Sequence, residues 1–159
     1  MPKSVRSVQG PPTSLPCVPE TVVEEIPLAD TRPLRQAVLR PHQTLDELAA
    51  HEPEGAYATG VYEDGTLVAV GFVAPDGGPG SWRVRGMATA PDARGRGAGG
   101  AVLGALVAHA VSRGASRIWC NARTPARAFY ERAGFTAVSD EFEVPDIGPH
   151  YVMERTDLR

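Results

Sequence analysis

The sequence predicts an α+β (mixed α/β) fold, a sheet with helices packed on its faces. Three observations predict it. Residues 56–63 and 66–74 are strand-like runs on either side of Asp64-Gly65, a two-residue hairpin signal. Residues 97–113 carry Leu103, Leu106, Val107, Ala110 and Val111 on one helical face. The elements follow the order strand, helix, antiparallel strands, helix, strand, helix, strands, with no internal repeat.

The elements are justified in turn. Val22, Val23 and Ile26 suggest a short first strand. Asp30-Thr31-Arg32-Pro33 offers a capping residue and an early proline, so a helix starts there. Leu34, Val38 and Leu39 continue it, and Pro41 ends it. The hairpin comes next. A Pro/Gly loop spans 75–80, followed by a strand over 82–90. The 97–113 helix stops at Gly114. The apolar run 118–122 is a buried strand. Thr124 as N-cap and Pro125 at the first position open another helix, closed by Gly134. Strands over 135–144 and 150–155 finish the chain, joined by a loop at 145–149.

Residues 1–20 are rich in Ser, Gly and Pro (2, 11, 12, 16 and 19) and have no apolar period. They are expected to form a disordered tail, leaving 21–159 as a single domain. The composition is 42% apolar and 22% charged, ordinary for a globular protein of 159 residues. A net charge of -3 and a pI of about 5.8 argue against a nucleic-acid partner. Locally, Arg83, Arg85, Arg94 and Arg96 cluster and suggest an anionic ligand. Lys3 is the only lysine among 16 basic residues, and Ala, Gly and Pro are abundant, as in a GC-rich bacterial genome. Cys17 and Cys120 make no disulfide framework. Residues 1–10 lack a signal-peptide core. The longest uncharged run, 97–112, is shorter than the roughly 20 residues that a spanning helix needs. The expected setting is the cytoplasm, with no membrane partner.

The sharpest local signal is Pro91-Asp92-Ala93-Arg94-Gly95-Arg96-Gly97-Ala98-Gly99-Gly100, between a strand and a helix. Glycines let backbone approach a ligand closely. The first amides of the following helix have no internal partners, and with the helix dipole they suit phosphate. Gly95-x-Gly97-x-x-Gly100 fits the dinucleotide fingerprint as a string. However, Pro91–Arg94 separate it from the strand, and the next strand ends in Asn121-Ala122-Arg123 with no acid. No Gly-Lys-Ser/Thr follows, so a P-loop is also excluded.

Arg94-x-x-Gly97-x-Gly99 after a strand resembles the acetyl-CoA-binding motif of the GNAT superfamily of N-acetyltransferases. Downstream, Ala126-x-x-Phe129-Tyr130-Glu131-x-x-Gly134-Phe135 resembles the second half of that fold. The run 119–123 and the ending 147–153 look like a small bacterial branch. The resemblance covers about 22–155 and implies a twisted, mostly antiparallel sheet with helices on both faces. It implies acetyl-CoA as co-substrate, no metal, and a primary amine acceptor of unidentified type that attacks the thioester directly. A homodimer stays open.

Residue by residue, the resemblance puts the pyrophosphate on Arg94, Gly95, Arg96, Gly97, Ala98, Gly99 and Gly100. The backbone of Met87, Ala88 and Thr89 would bind the pantetheine arm and polarise the thioester. Tyr130 falls where the family often has a general acid for the departing thiolate. Seven residues before it, many members carry Asn; here Arg123 stands there, with Asn121 two residues earlier, and either is a candidate for the cofactor contact. On the strand before the turn, where a base is frequent, this chain has Arg83 and Arg85, which do not accept protons at neutral pH. Glu141, Glu143 and His150 are the alternative bases. Arg35, Arg40 and Arg85 are candidates to hold an acidic acceptor. The rival reading is a non-catalytic acyl-CoA-binding or regulatory module of the same fold.

Overall fold

The computed structural model describes residues 21–158. The tail expected over 1–20 lies outside them. The strands are β1 (Thr21–Ile26), β2 (Tyr57–Glu63), β3 (Thr66–Pro75), β4 (Ser81–Thr89), β5 (Arg117–Arg123), β6 (Thr136–Ala137), β7 (Phe142–Val144) and β8 (Gly148–Arg155). The helices are α1 (Arg32–Leu39), α2 (Leu45–Ala50), α3 (Ala98–Ser112) and α4 (Arg127–Arg132). The sheet order is β1-β2-β3-β4-β5-β8-β6, with β7 also on β8. All pairings are antiparallel except β4 with β5. This is the mixed, mostly antiparallel sheet that the sequence predicts.

Two apolar clusters cover the two faces. Val102, Leu103, Leu106 and Ala110 of α3 pack with Val61, Val73, Ile118 and Met153, all nearly inaccessible to solvent. Tyr130 and Phe135 from α4 and its exit join that cluster. On the other face, Leu34, Val38 and Leu39 of α1 pack against Ile26, Val70 and Phe72. Alternate residues of a strand face opposite sides, which is why Val70 and Val73 of β3 serve different clusters. Each fully buried aliphatic side chain contributes about 1.5–3 kcal/mol.

Two local expectations need correction, and one further helix is present. After Pro41, α2 forms behind a capping box. Thr44 accepts from the Glu47 amide at 3.1 Å, and the Glu47 carboxylate accepts from the Thr44 amide at 2.8 Å. Thr124 does not cap a helix. It begins a 3-10 turn over Thr124–Ala126, and its hydroxyl donates to Glu141 at 2.7 Å. The strand expected over 135–144 is broken into β6 and β7. There the Ser139 hydroxyl accepts the Val152 amide at 2.9 Å, replacing a ladder carbonyl and letting the chain turn off the sheet.

Candidate active site

β4 and β5 pair only through Ser81, Trp82 and Arg83 against Arg117, Ile118 and Trp119. Past that point they diverge, although β5 stays paired with β8 as far as Arg123. A bulge bends β4 at the fork. Val70 faces Ala88 and Phe72 faces Arg85, so Gly86 and Met87 both stand against Gly71. Gly86 has φ +66°, and a Cβ there would come within 2.6 Å of the Phe72 ring. Only glycine satisfies both demands. The β5-facing edge of β4 is thus left without a strand partner.

The orientation of its amides follows from the ladder. Ala90 donates to Val68 of β3 at 2.8 Å. Successive amides alternate between edges, so Ala88 points to β3 while Thr89 and Met87 point to the open edge. Of the three backbone positions expected to hold a ligand, two therefore present donors to the fork. Ala88 lines it without aiming its amide there.

The fork opens into one groove with two arms, a larger one of about 930 Å³ and a smaller one of about 470 Å³. They meet at Leu39, Met87, Arg123, Ala126 and Tyr130. The larger arm ends on the glycine turn. Gly95 and Gly97 take φ +81° and +84°, and Gly97 stands at the N-cap of α3. The first amide bonded in helix register is Ala101, to the Gly97 carbonyl at 3.0 Å. Ala98, Gly99 and Gly100 therefore keep amides without intrahelical partners, and no side chain caps them. Arg94 lines this arm. Arg96 does not; it turns to Glu63 at 2.5 Å and to the Asp92 carbonyl at 3.1 Å.

Tyr130 stands where the arms meet. Its ring is held edge-on by Phe129 and Phe135, at 5.1 and 5.5 Å between centroids. Burial first, and then the Cys120 sulfur beside it, hold the Tyr130 hydroxyl well above the usual tyrosine value. It is a proton-bearing donor at any physiological pH. Burial also pushes the Cys120 thiol up to about 12, which excludes it as a nucleophile.

The smaller arm takes its wall from α1, the α1–α2 connection, β4, β5 and β8. Asn121 and Arg123 both line the groove. Arg123 sits at the junction and donates to the Leu39 carbonyl at 2.7 Å, whereas Asn121 belongs to the smaller arm alone. His150 is buried on this wall, 6% exposed. Its Nδ1 lies 2.8 Å from the Gly148 carbonyl, which only accepts, so Nδ1 carries the proton and neutral His150 keeps its lone pair on Nε2. Glu141 stands apart from both arms, exposed and bonded to Thr124. Glu143 is likewise exposed on β7 and lines neither arm. Sequence reasoning did not place Leu39, Gln43 and His51 at the groove. Nothing local to them reveals it, because α1 reaches the fork by packing over Phe72 and α2 follows by packing on α1.

Residues 23–135 match the profile of the Acetyltransferase (GNAT) family. The chain belongs to the GNAT acetyltransferase family. It is 33% identical over 141 residues to the uncharacterized N-acetyltransferase YitI of Bacillus subtilis, covering 84% of this chain and 95% of that one. Its fold is similar to the ribosomal-protein-S18-alanine N-acetyltransferase of Escherichia coli (TM-score 0.70, 18% identity, 86% of this chain and 93% of that one). It is equally similar to an aminoglycoside 6'-N-acetyltransferase complexed with coenzyme A (TM-score 0.71, 15% identity, 85% and 96%). Among the described residues, no group of His, Cys, Asp and Glu is arranged to hold a metal ion. No helix among them is long and apolar enough to cross a membrane. In this GNAT chain the glycine turn is the floor of the larger arm, and Tyr130 stands between the arms.

Proposed function

We infer that the chain is an acetyl-CoA-dependent N-acetyltransferase that transfers to a primary amine by direct attack. One observation carries the reading: a single groove runs from the uncapped amides of α3, past the open amides of β4, to the Tyr130 hydroxyl. Those features suit the anionic, the extended and the reacting parts of an acyl-CoA in that order. The amides of Ala98, Gly99 and Gly100, with Gly95, Gly97 and Arg94, would hold the pyrophosphate. Thr89 and Met87 would hold the pantetheine arm. The Met87 amide then polarises the thioester carbonyl, a contribution of about 3 kcal/mol to the barrier.

The amine nitrogen forms a bond to the carbonyl carbon, and the carbon–sulfur bond breaks. The amine gives up one proton and the departing CoA sulfur takes one up from water, so the step balances. A CoA thiol has a pKa near ~8.5, below that of Tyr130. The ordering makes Tyr130 a hydrogen-bond donor to the departing sulfur rather than a group that stays deprotonated. His150 Nε2 or a water receives the proton from the amine. The reading places the chain in the cytoplasm, where acetyl-CoA is available. Thiol release from acetyl-CoA across a panel of amines tests it. Acetyl-CoA binding without release for any amine would leave a non-catalytic acyl-CoA module.

A further inference from the structure

The smaller arm is lined by five arginines, Arg35, Arg40, Arg83, Arg85 and Arg123, and no aspartate or glutamate lines it. Its cations are not equally free. Arg35 is committed to Glu52 at 2.5 Å, and Arg32 shares the same carboxylate at 2.8 Å. Arg83 reaches Asp76 only at 3.7 Å, stacks over Trp119, and leaves its buried Nε without any hydrogen-bond partner. Arg85 lies over Phe72 and donates to the His51 carbonyl at 3.0 Å, and Arg123 donates to the Leu39 carbonyl. Arg40 makes no side-chain hydrogen bond among the described residues. Among the described residues, Arg40, Arg85 and Arg123 thus form no ion pair with a carboxylate.

Such a cluster is unfavourable on its own. Burial, followed by the charges of Arg83 and Arg35, lowers the affinity of Arg85 for its proton. Burial and the charge of Arg123 do the same to Arg40. A buried donor left unmade is costly, and so is a set of like charges in a half-enclosed arm. An arriving carboxylate relieves the like-charge repulsion, since the planar guanidinium fork matches it in two bonds.

We propose that the acceptor is a small amine carrying its own carboxylate, an amino-acid-like zwitterion whose acid group is held by Arg40 and Arg85 in the smaller arm. The proposal rests on the acetyltransferase reading above and names its substrate class. It also accounts for the missing acidic base. The positive wall that binds the carboxylate disfavours the neighbouring ammonium and so promotes loss of its proton, which makes the nitrogen nucleophilic. His150 Nε2 or a water needs only to receive that proton. Polycationic acceptors are repelled by the same wall.

The test uses the full chain with acetyl-CoA and matched pairs of free L-amino acids and their α-carboxamides, with spermidine as a polycation. Thiol release gives kcat/KM, and a separate titration gives acetyl-CoA affinity. At least one free acid should exceed its own amide tenfold or more in kcat/KM. Arg85→Gln and Arg40→Gln should reduce that ratio toward one through KM, with acetyl-CoA affinity within twofold of the parent. Arg40→Gln removes no internal hydrogen bond, so it serves even if Arg85→Gln folds poorly. Amides or spermidine accepted as well as the free acids would overturn the proposal and leave the acetyltransferase reading standing. So would faster transfer of a succinyl than an acetyl group to the amides, which would assign the arginines to the acyl chain. Acetyl-CoA binding with no acid turned over also overturns it. Failure to bind acetyl-CoA overturns both.

Discussion

The Tyr130 hydroxyl of α4 lies beside the buried Cys120 sulfur of β5, bringing the helix and the strand together at the fork of the sheet. Each group is kept protonated by burial, so the pair is neutral and carries no stored charge.

Tyr130→Phe keeps the ring and its edge-on packing but loses the donor. kcat should fall by about 10–100-fold, at or below the usual range for a proton-transfer group. Acetyl-CoA affinity should stay within twofold, and stability should change by no more than about 1 kcal/mol, because the ring packing is kept. Steady-state kinetics, a binding titration and a denaturant melt measure the three separately. An unchanged kcat, with chemistry limiting, removes Tyr130 from the mechanism.

Cys120 should behave as an inert thiol. In a Cys17→Ser background it is the only cysteine. A chromogenic disulfide reagent should leave it unlabelled in the native state at pH 7 to 9, because burial holds the thiol near 12. In denaturant, labelling should be complete. Rapid labelling of the native protein would show that the fork opens far more often than its packing allows.

Gly97→Glu and Gly97→Ala separate conformation from charge. No atom lies within 4 Å of a Cβ built at Gly97, so both side chains fit, but both pay for φ +84°. That strain is about 1–2 kcal/mol for either residue. Only the glutamate brings a negative charge to the free amides of α3. Acetyl-CoA affinity should fall less than tenfold in the alanine variant and vanish in the glutamate variant, as read by titration calorimetry. Equal losses would mean that the turn does not bind an anion.

Glu52 links acceptor-side geometry to acid stability. Burial alone would raise its pKa, but the hydrogen bonds and charges of Arg32 and Arg35 outweigh it and hold the carboxyl below its ordinary value. A depressed folded value means that the stabilisation is complete above the unfolded pKa, about 4.3, and is lost as pH falls through the folded one. Glu52→Gln leaves Arg35 buried without its counter-ion. It should cost about 3 kcal/mol at pH 7, and the gap to the parent should close below about pH 4. Chemical melts at several pH values check this; a gap independent of pH would contradict it.

Much of the fold is legible in the sequence where one rule acts alone. Asp64-Gly65 specifies the β2–β3 hairpin, and α3 shows its apolar face without help. Thr44 and Glu47 carry a capping box that is equally readable, but Pro41 and His42 before it obscure the short helix that follows. Thr124 looks like an N-cap because the pattern is local, while its true partner Glu141 lies 17 residues away. The glycine turn and Tyr130 are legible because their chemistry needs particular residue types at short spacing. The arginine-lined arm is legible only in part: Arg35, Arg40 and Arg85 stand out as candidates for an acidic acceptor, but their meeting with Arg83 and Arg123 does not, because the five come from separate elements. Their meeting depends on the Gly86 bulge and on how α1 crosses Phe72.

The position of β8 sets when the groove comes into being during synthesis. A chain emerging from the ribosome can complete β1 to β4 and α3 from neighbouring hairpins and one crossover. β5 then has only the three residue pairs at Ser81, Trp82 and Arg83 to hold it. Its full-length partner is β8, at Gly148–Arg155, which is made well after β5 itself. Until that strand arrives, one side of the crevice has no fixed position, so a nascent chain owns the glycine turn well before it owns a place to bring two reactants together.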